Sequence, residues 1–358
     1  MSSKTRSKNK VKSSEPPSLI PSLPEDIIVD ILARVGRCYY PKLSLVSKHF
    51  RSLVTSHELY SRRLLLGCTE HCLYVVLCNR ENYKNHCYVL CRKANGNHSL
   101  VLIPSFSNYM PRKGKGGFVA VGSRIYVFGR LNATSIDCRS QTVHLLPSMN
   151  VTMSVSVADI IDGKIYVSGC CNNQRKMVMT VFNTETQMWE PKKTAPETLM
   201  SDCMWPGDCV VLAGKMYMQD DINSFVFEPK ESKWETEKTL NMFRWKDECV
   251  VDDVLYYYDC VWEVLRAYDP KESGWLVVNG LEELLAQARF SDWSYTGSYG
   301  RKLVLFFWKM TGKTRVIRCA EISLERRQEK EIWGKSEWCD DVLVGGDFFV
   351  RKSLDVIV

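Results

Sequence analysis

A short hydrophobic phrase built around a tyrosine recurs along this chain of 358 residues. In most of its clear copies a glycine stands just before the phrase. The clear and weaker copies together are residues 73–75, 122–127, 163–167, 214–218, 254–257 and 300–304. A β-strand phrase that returns at intervals of tens of residues is typical of a domain built from repeated supersecondary units. The phrase therefore predicts a modular, all-β domain.

The spacing of the copies indicates the size of each unit. Between anchor residues the steps are 52, 40, 51, 39 and 48 residues, with a mean of 46. The anchors are Tyr74, Tyr126, Tyr166, Tyr217, Tyr256 and Val304. Steps of this size fit the four-stranded blades of a β-propeller, for which periods of about 40 to 50 residues are typical. Six copies predict six blades.

A second marker keeps the same phase. In three copies a tryptophan stands six positions after a polar residue, and turn-forming residues lie between the two. The pairs are Asn183 with Trp189, Glu228 with Trp234, and Asp269 with Trp275. This arrangement predicts that each blade ends in a hairpin whose aromatic residue enters the outer strand. A generic β-sandwich also contains short strands, but two markers in phase disfavour it.

The start of the β region indicates how the domain closes. A strand-like segment precedes most anchors, but none precedes Tyr74, where a helical block ends. The C-terminus must then supply the missing strand. The interval after the last aromatic marker places that strand at residues 354–358, beside residues 73–78, with residues 342–344 as the alternative.

Helical signals dominate residues 22–67. Ser22 and Glu25 match a capping box, apolar residues follow at helical spacing, and Gly36 is placed to end this first helix. A second helix is expected to begin near Pro41 and a third after Ser56. Three short helices make a marginal core, so such a unit is expected to complete itself against a partner.

The positive charge of the chain is concentrated at its start. The formal net charge is +7, and five basic residues precede the first acidic one. They are Lys4, Arg6, Lys8, Lys10 and Lys12. Residues 1–17 are therefore predicted to be a disordered basic tail. The remainder is nearly neutral, which argues against a nucleic-acid surface.

Composition also bears on the compartment. We see no apolar segment typical of a signal peptide or of a membrane helix. The fifteen cysteines have no regular spacing, which favours reduced thiols. We therefore expect a cytoplasmic or nuclear protein that binds no membrane.

The helical block carries specific motifs. They are Leu23-Pro24-Glu25-Asp26-Ile27, then Ile31-Leu32-Ala33-Arg34-Val35, then Leu45-Val46-Ser47-Lys48-His49-Phe50-Arg51. The series resembles an F-box, with Ser47 at the customary cysteine and Phe50 at the customary tryptophan. Together with the repeats and the segments 319–327 and 331–335, it resembles the plant F-box/kelch-repeat family over residues 20–358.

The resemblance implies a division of the chain and a function. Residues 18–67 would be the F-box, a small all-α unit of three short helices, and residues 68–358 a kelch-type all-β propeller closed by its C-terminal strand. The F-box would dock a Skp-type adaptor, and through it a cullin, while the propeller binds an unknown target protein for ubiquitination. By motif match, the adaptor-binding or core residues are Leu23, Pro24, Ile27, Ile31, Leu32, Val46 and Phe50.

Two other functions remain open from the sequence: an F-box scaffold without a ligase role, and a propeller enzyme. For a target-binding propeller we expect contacts through the loops of one face. The candidate loops are residues 129–134, 169–177, 219–223, 259–264 and 308–313. Arg130, Trp262 and Trp308 are the predicted anchors, because arginine and aromatic residues dominate interface energetics.

The sequence offers little to a catalytic or metal site. All six histidines lie at or before residue 144, so a site spanning the propeller has few ligands. One group superficially resembles a zinc site, although buried thiols on paired strands explain it better. Its members are Cys68, His71, Cys72, Cys87, Cys91 and His98. Residues 311–314 lack the first glycine of a phosphate loop. We predict no catalytic residue, metal or cofactor.

Overall fold

The computed structural model describes residues 23–111, 116–171, 177–191, 193–194, 209–219, 223–272, 274–289, 291–327 and 330–358. The chain divides into two compact units, Met1–Cys68 and Thr69–Val358. The first unit is helical and the second consists mostly of β-strands. Within the described residues, no helix combines the length and the apolar character that crossing a membrane requires.

The described residues of the helical unit, 23–68, form four α-helices where three were predicted. They are α1 Glu25–Arg34, α2 Tyr40–Leu43, α3 Lys48–Leu53 and α4 His57–Leu65, with a 3-10 turn at Arg37–Tyr39. The second helix expected near Pro41 ends at Leu43, and α3 is an additional helix that was not predicted. Ser47 has extended backbone angles and its side chain accepts a hydrogen bond from the Phe50 N–H, so a new helix begins there.

The end of α1 also differs from the prediction. Gly36 has an ordinary backbone φ of −58° and does not terminate the helix in a left-handed turn. Side chains from elsewhere cap the C-terminal carbonyls instead. Arg63 Nη1 of α4 donates to the Ala33 oxygen at 3.0 Å, to the Val35 oxygen at 2.9 Å and to Tyr40 Oη at 3.0 Å. Tyr40 Oη in turn donates to the Leu32 oxygen at 3.1 Å.

The start of α1 has fewer side-chain contacts than its end. Pro24 occupies the N-cap position, and no side chain accepts a hydrogen bond there. Ser22, the other half of the predicted capping box, lies outside the described residues. At α4 the expected start is confirmed, because the Ser56 side chain accepts from the Leu59 N–H at 3.2 Å.

The β-domain contains short strands and two further helices, α5 Pro104–Ser107 and α6 Glu282–Ala288. Its first strands are β1 His71–Asn79, β2 Asn85–Arg92, β3 His98–Leu102, β4 Gly117–Val121, β5 Arg124–Phe128, β6 Ala133–Asp137, β7 Thr142–Leu145, β8 Met153–Ile161, β9 Lys164–Cys171, β10 Met177–Asn183, β11 Met188–Trp189 and β12 Lys193–Thr194. The remaining strands are β13 Cys209–Leu212, β14 Lys215–Gln219, β15 Ser224–Glu228, β16 Lys233–Thr236, β17 Cys249–Val251, β18 Val254–Asp259, β19 Val264–Asp269, β20 Gly274–Asn279, β21 Ser294–Tyr299, β22 Lys302–Thr311, β23 Thr314–Arg326, β24 Ile332–Val344 and β25 Phe348–Ile357.

These strands form antiparallel meanders. Three sheets have the orders β4-β5-β6-β7, β8-β9-β10-β11 with β12 beside β10, and β13-β14-β15-β16. The meanders β17-β18-β19-β20 and β21-β22-β23-β24 join into one sheet of eight strands. Their junction is a parallel pairing of Val278 with Ile332 and Asn279 with Trp333.

The two sequence markers occupy fixed places in these sheets. Every anchor of the tyrosine phrase lies in the second strand of its meander, and the three marker tryptophans lie in the fourth. Each tryptophan faces an aromatic residue of the third strand, in the pairs Phe182–Trp189, Phe227–Trp234 and Tyr268–Trp275. Ring centroids in these pairs are 5.0, 4.8 and 5.3 Å apart. The predicted position of the aromatic marker is confirmed.

The C-terminal segment completes the first sheet, whose order is β25-β1-β2-β3. The predicted C-terminal position of this strand is confirmed, although β25 begins at Phe348 rather than at residue 354. In the antiparallel register Leu73 faces Asp355 and Tyr74 faces Leu354. The alternative segment, residues 342–344, belongs to β24 and pairs with β23. His71 Nδ1 and the Gly300 N–H both contact the Asp355 carboxylate at 2.9 Å, which ties β25 to β1 and to the turn after β21.

Neighbouring meanders meet along their first strands. Contacts run from β25 to β4, and then through β8, β13, β17 and β21 back to β25. Side chains cap strand-edge N–H groups between meanders: Gly117 N donates to Ser156 Oγ at 3.0 Å, and Val211 N to Asp159 Oδ2 at 2.9 Å. These caps satisfy edge groups that would otherwise be open to pairing with another chain.

Candidate functional site

One side of α1 presents an apolar stripe to solvent. Ile27 and Ile31 are 43% and 50% exposed, and their spacing of four residues places them on one face of α1. We include in this stripe Leu23, which lies just before the helix and is 41% exposed. Val29, Leu32 and Ala33 occupy the opposite side and are buried. The helix is therefore apolar on two faces, of which only one belongs to the core of the unit.

The structure separates the seven predicted F-box residues into accessible and packed side chains. Leu23, Pro24, Ile27, Ile31 and Val46 are exposed. Phe50 is half-buried, with its ring edge-on to His49. Leu32 is only 3% exposed and packs the core, so it offers nothing to a partner. Leu45, which is adjacent to Val46, was not among the predicted adaptor-binding residues. It is 78% exposed and belongs with the accessible side chains.

Two successive arginines of α4 contact α1. Arg62 Nη2 donates to Asp30 Oδ2 at 2.9 Å, and Arg62 Nε donates to Oδ1 of the same carboxylate. The hydrogen bond from Arg62 lowers the pKa of Asp30, since it favours the charged form. Arg63, the next residue, is 1% exposed and reaches the end of α1.

The two faces of the β-domain differ in chemistry. In an antiparallel meander, the turn between strands two and three and the connection to the next meander leave from the same side. We call this side the connection face; its described turns include residues 80–84, 103–111, 129–132, 237–248 and 260–263. Exposed large apolar residues in these turns are Tyr83, Tyr109, Leu131, Met242, Val261 and Trp262.

The opposite turns, which join strands one and two or three and four, form the hairpin face. Examples are residues 93–97, 162–163, 184–187, 213–214 and 252–253. In the described part of the chain these turns carry no exposed large apolar side chain. Within the described turns, the exposed large apolar side chains therefore lie on the connection face. The predicted target loops lie on the connection face, although residues 172–176 and 220–222 are outside the described residues.

Trp262 stands on a turn that is held rigidly. It is 68% exposed, and the preceding Val261 is 80% exposed. The Asp259 Oδ1 atom accepts from the N–H groups of both residues, at 3.0 and 3.2 Å. Asp259 Oδ2 accepts from Arg266 Nε at 2.7 Å, and the Arg266 guanidinium lies 3.8 Å from the Phe243 ring centroid. The turn is therefore fixed before any partner arrives.

The other two predicted anchors differ from Trp262. Arg130 is exposed on the connection face. Trp308 is half-buried, and the Arg315 guanidinium covers its ring at 4.4 Å from the centroid. Trp308 therefore stabilises the β22–β23 hairpin more directly than it serves a partner. Val261, which sequence reasoning missed, could have been found as an apolar neighbour of a tryptophan in a turn.

A cavity of about 350 Å³ lies among the first strands of the meanders. Its lining includes Asp159, Glu248, Cys249, Tyr295 and Lys352. Burial raises the pKa of Asp159 and raises that of the Cys249 thiol to about 12, which leaves the thiol protonated and unreactive at neutral pH. Among the described residues, no three His, Cys, Asp or Glu side chains are grouped so as to hold a metal ion.

Comparisons with known proteins match both units. A family model of the F-box domain matches residues 20–62, and a model described as FKB95, Kelch-repeats domain, matches residues 79–343. The chain is similar to F-box/kelch-repeat protein At4g38940 of Arabidopsis thaliana, with 43% identity over 96% of each chain. It is also similar to F-box/kelch-repeat protein At4g39550 of the same plant, with 36% identity over 90% of each chain.

Proposed function

Since the chain belongs to the F-box/kelch-repeat family, we propose that it is the target-recognition subunit of a Skp–cullin–F-box ubiquitin ligase. The observation that carries this proposal is the exposed stripe of Leu23, Ile27 and Ile31 within the F-box match. A helix with one apolar face in solvent is suited to lie against another protein. The Skp-type adaptor is the partner that an F-box implies.

In this proposal the protein performs no chemistry of its own. The F-box holds the adaptor, and through it a cullin, while the β-domain holds the target protein. Binding both at once raises the effective concentration of the target near a ubiquitin-charged conjugating enzyme. A catalytic side chain in this chain is therefore unnecessary.

We further propose that the β-domain is a propeller of six blades. The support is the circuit of contacts among β25, β4, β8, β13, β17 and β21, together with six meanders of four strands when the eight-stranded sheet is divided at its parallel junction. The connection face is then the target-binding face, with Trp262 as its principal anchor.

The proposal is tested by comparing alanine substitutions in the α1 stripe with one on the connection face. In the full chain, Leu23→Ala with Ile27→Ala should abolish capture by a purified Skp-type adaptor and leave β-domain melting unchanged. Trp262→Ala is the matched control, since it also removes an exposed apolar residue and should leave adaptor capture intact. Undiminished capture of the double variant would refute the assignment of the adaptor surface.

A ligase role differs from a scaffold role in the fate of the bound protein. Proteins that co-purify with the chain should accumulate after proteasome inhibition, and this accumulation should require both Ile27 and Trp262. Co-purified proteins whose amounts are insensitive to the proteasome would favour a scaffold that binds the adaptor without directing ubiquitination.

A further inference from the structure

The adaptor-facing stripe lies on a helix whose C-terminal end is held by one buried arginine. The last carbonyls of an α-helix have no partner within the helix and need one from outside. In α1 that partner is Arg63, which bonds the Ala33 and Val35 oxygens directly and reaches the Leu32 oxygen through the Tyr40 hydroxyl. Arg63 is thus linked, directly or through Tyr40, to three of the last carbonyls at the end of α1.

The chemistry of arginine suits this position. A guanidinium remains protonated even when buried, and its planar set of donors can serve several acceptors at once. A cation at a helix C-terminus also interacts favourably with the helix dipole. Arg63 additionally lies over the Tyr40 ring, at 5.7 Å from the centroid, so the aromatic group that relays its hydrogen bond is itself held in place.

The neighbouring arginine offers a direct comparison. Arg62 contacts α1 at Asp30, in the middle of the helix, and both side chains of that pair are more than 30% exposed. An ion pair at such exposure contributes little to stability. Arg63 by contrast is 1% exposed and fixes the end of α1 nearest to Ile31. The two arginines differ by one position and hold α1 in different ways.

We propose that Arg63 is a positioning residue for adaptor binding, an inference that rests on the proposed function. By fixing the C-terminal end of α1 against α4, it presets the direction in which Leu23, Ile27 and Ile31 face. Without it, α1 populates several orientations, and only a fraction of molecules presents the stripe correctly. Affinity falls with that fraction, and the loss lies in the association rate because competent molecules are fewer.

The test compares Arg63→Met with Arg62→Met in the full chain, using a purified Skp-type adaptor. We expect R63M to weaken adaptor affinity by at least about tenfold, mainly through slower association. R62M should stay within about twofold of the native chain. In hydrogen exchange, the amides of residues 32–40 of R63M should exchange faster while those of α4 keep their protection, a local pattern that general destabilisation of the helical unit does not produce.

Several outcomes would overturn this inference. Equal affinities of R63M and R62M would do so, as would an R63M defect confined to faster dissociation, which is the mark of a lost direct contact. If R63M leaves the helical unit unfolded, Tyr40→Phe provides the test, since it removes only the relay to Leu32 and should slow association by about threefold. A Tyr40→Phe rate equal to that of the native chain would then refute the inference. Failure of the native chain to bind the adaptor would instead refute the proposed function.

Discussion

The helical unit and the β-domain are stabilised in opposite ways. In the β-domain the same contact recurs from sheet to sheet, as in the aromatic pairs Phe227–Trp234 and Tyr268–Trp275. In the helical unit the contacts at the end of α1 differ from one another, because the Arg63 side chain, the Tyr40 hydroxyl and the Val35 N–H bond different carbonyls or share one. Repetition distributes stability over many residues, whereas the helical unit concentrates it in a few.

The comparison extends to the partner-binding surfaces. The α1 stripe is a regular helical face, which suits the one adaptor of the proposed function. The connection face is assembled from turns of different sheets, and each turn can change without altering the strands that carry it. One chain thus combines a surface suited to a constant partner with another suited to a variable one.

The largest expected effect comes from breaking the closure of the β-domain, because no other sheet can replace the pairing between β25 and β1. Deleting residues 354–358 removes the pairing of β25 with His71–Tyr74 and the Asp355 contacts. We expect the cooperative thermal transition of the β-domain to disappear in calorimetry. Ile357→Ala, which trims a residue that is 41% exposed, is the control and should melt nearly as the native chain does. An unchanged transition in the deletion would show that β25 is dispensable.

A large effect is also expected from the pair of Arg266 and Asp259, whose side chains are 11% and 9% exposed. Arg266→Met leaves a buried carboxylate without its cation and should lower the free energy of unfolding by about 3–5 kcal/mol. Arg301→Met, which breaks the Arg301–Asp252 pair at 82% and 58% exposure, should cost less than about 1 kcal/mol. Urea unfolding of both variants measures the difference. Equal decreases in the free energy of unfolding would mean that burial does not determine how much these ion pairs contribute to stability.

The adjacent residues Ile31 and Leu32 separate core from surface within one helix. Leu32→Ala should destabilise the helical unit by about 2–5 kcal/mol, because it leaves a cavity. Ile31→Ala, at a residue 50% exposed, should leave its stability nearly unchanged and weaken adaptor binding. Far-UV circular dichroism during thermal unfolding and adaptor titration give the two quantities. If Ile31→Ala destabilised the unit and Leu32→Ala only weakened adaptor binding, the assignment of Leu32 to the core and of Ile31 to the binding surface would be wrong.

The smallest effect is expected at Ser47. Its hydroxyl accepts from the Phe50 N–H at 3.1 Å and begins α3. A thiol is a weak acceptor, so Ser47→Cys should cost about 1 kcal/mol in the helical unit. Ser61→Cys, a hydroxyl in the interior of α4, serves as the control and should cost less. A Ser47→Cys variant as stable as the native chain would show that the cap contributes nothing.

The sequence predicted the β-domain well because its signals are local and repeated. The tyrosine phrase marks second strands, the tryptophans mark fourth strands, and the missing strand before Tyr74 pointed to the C-terminus. These predictions rested on several copies of each marker, so a few irregular copies did not change them.

The same reasoning was less successful where a single distant residue decides the structure. The end of α1 was assigned to Gly36, but Arg63 and Tyr40 determine it, and they are separated from it in the sequence. The start of α3 was not predicted, because Ser47 was treated only as a motif position and not as a helix cap. Trp308 was proposed as an anchor, yet Arg315 covers its ring from the neighbouring strand. A contact that occurs once between two distant residues produces no repeated pattern in the sequence, so sequence periodicity cannot predict it.

The pairing of β1 with β25 has a consequence for biosynthesis. About 270 residues separate the end of β1 from the start of β25, so β1 waits roughly 15 to 50 s for its partner at ordinary translation rates. Under the proposed function, the helical unit, made first, can fold and engage an adaptor during that time. A nascent chain would then join an assembly before its recognition domain is complete, and a late premature stop would leave a chain that occupies adaptor without recognising any target.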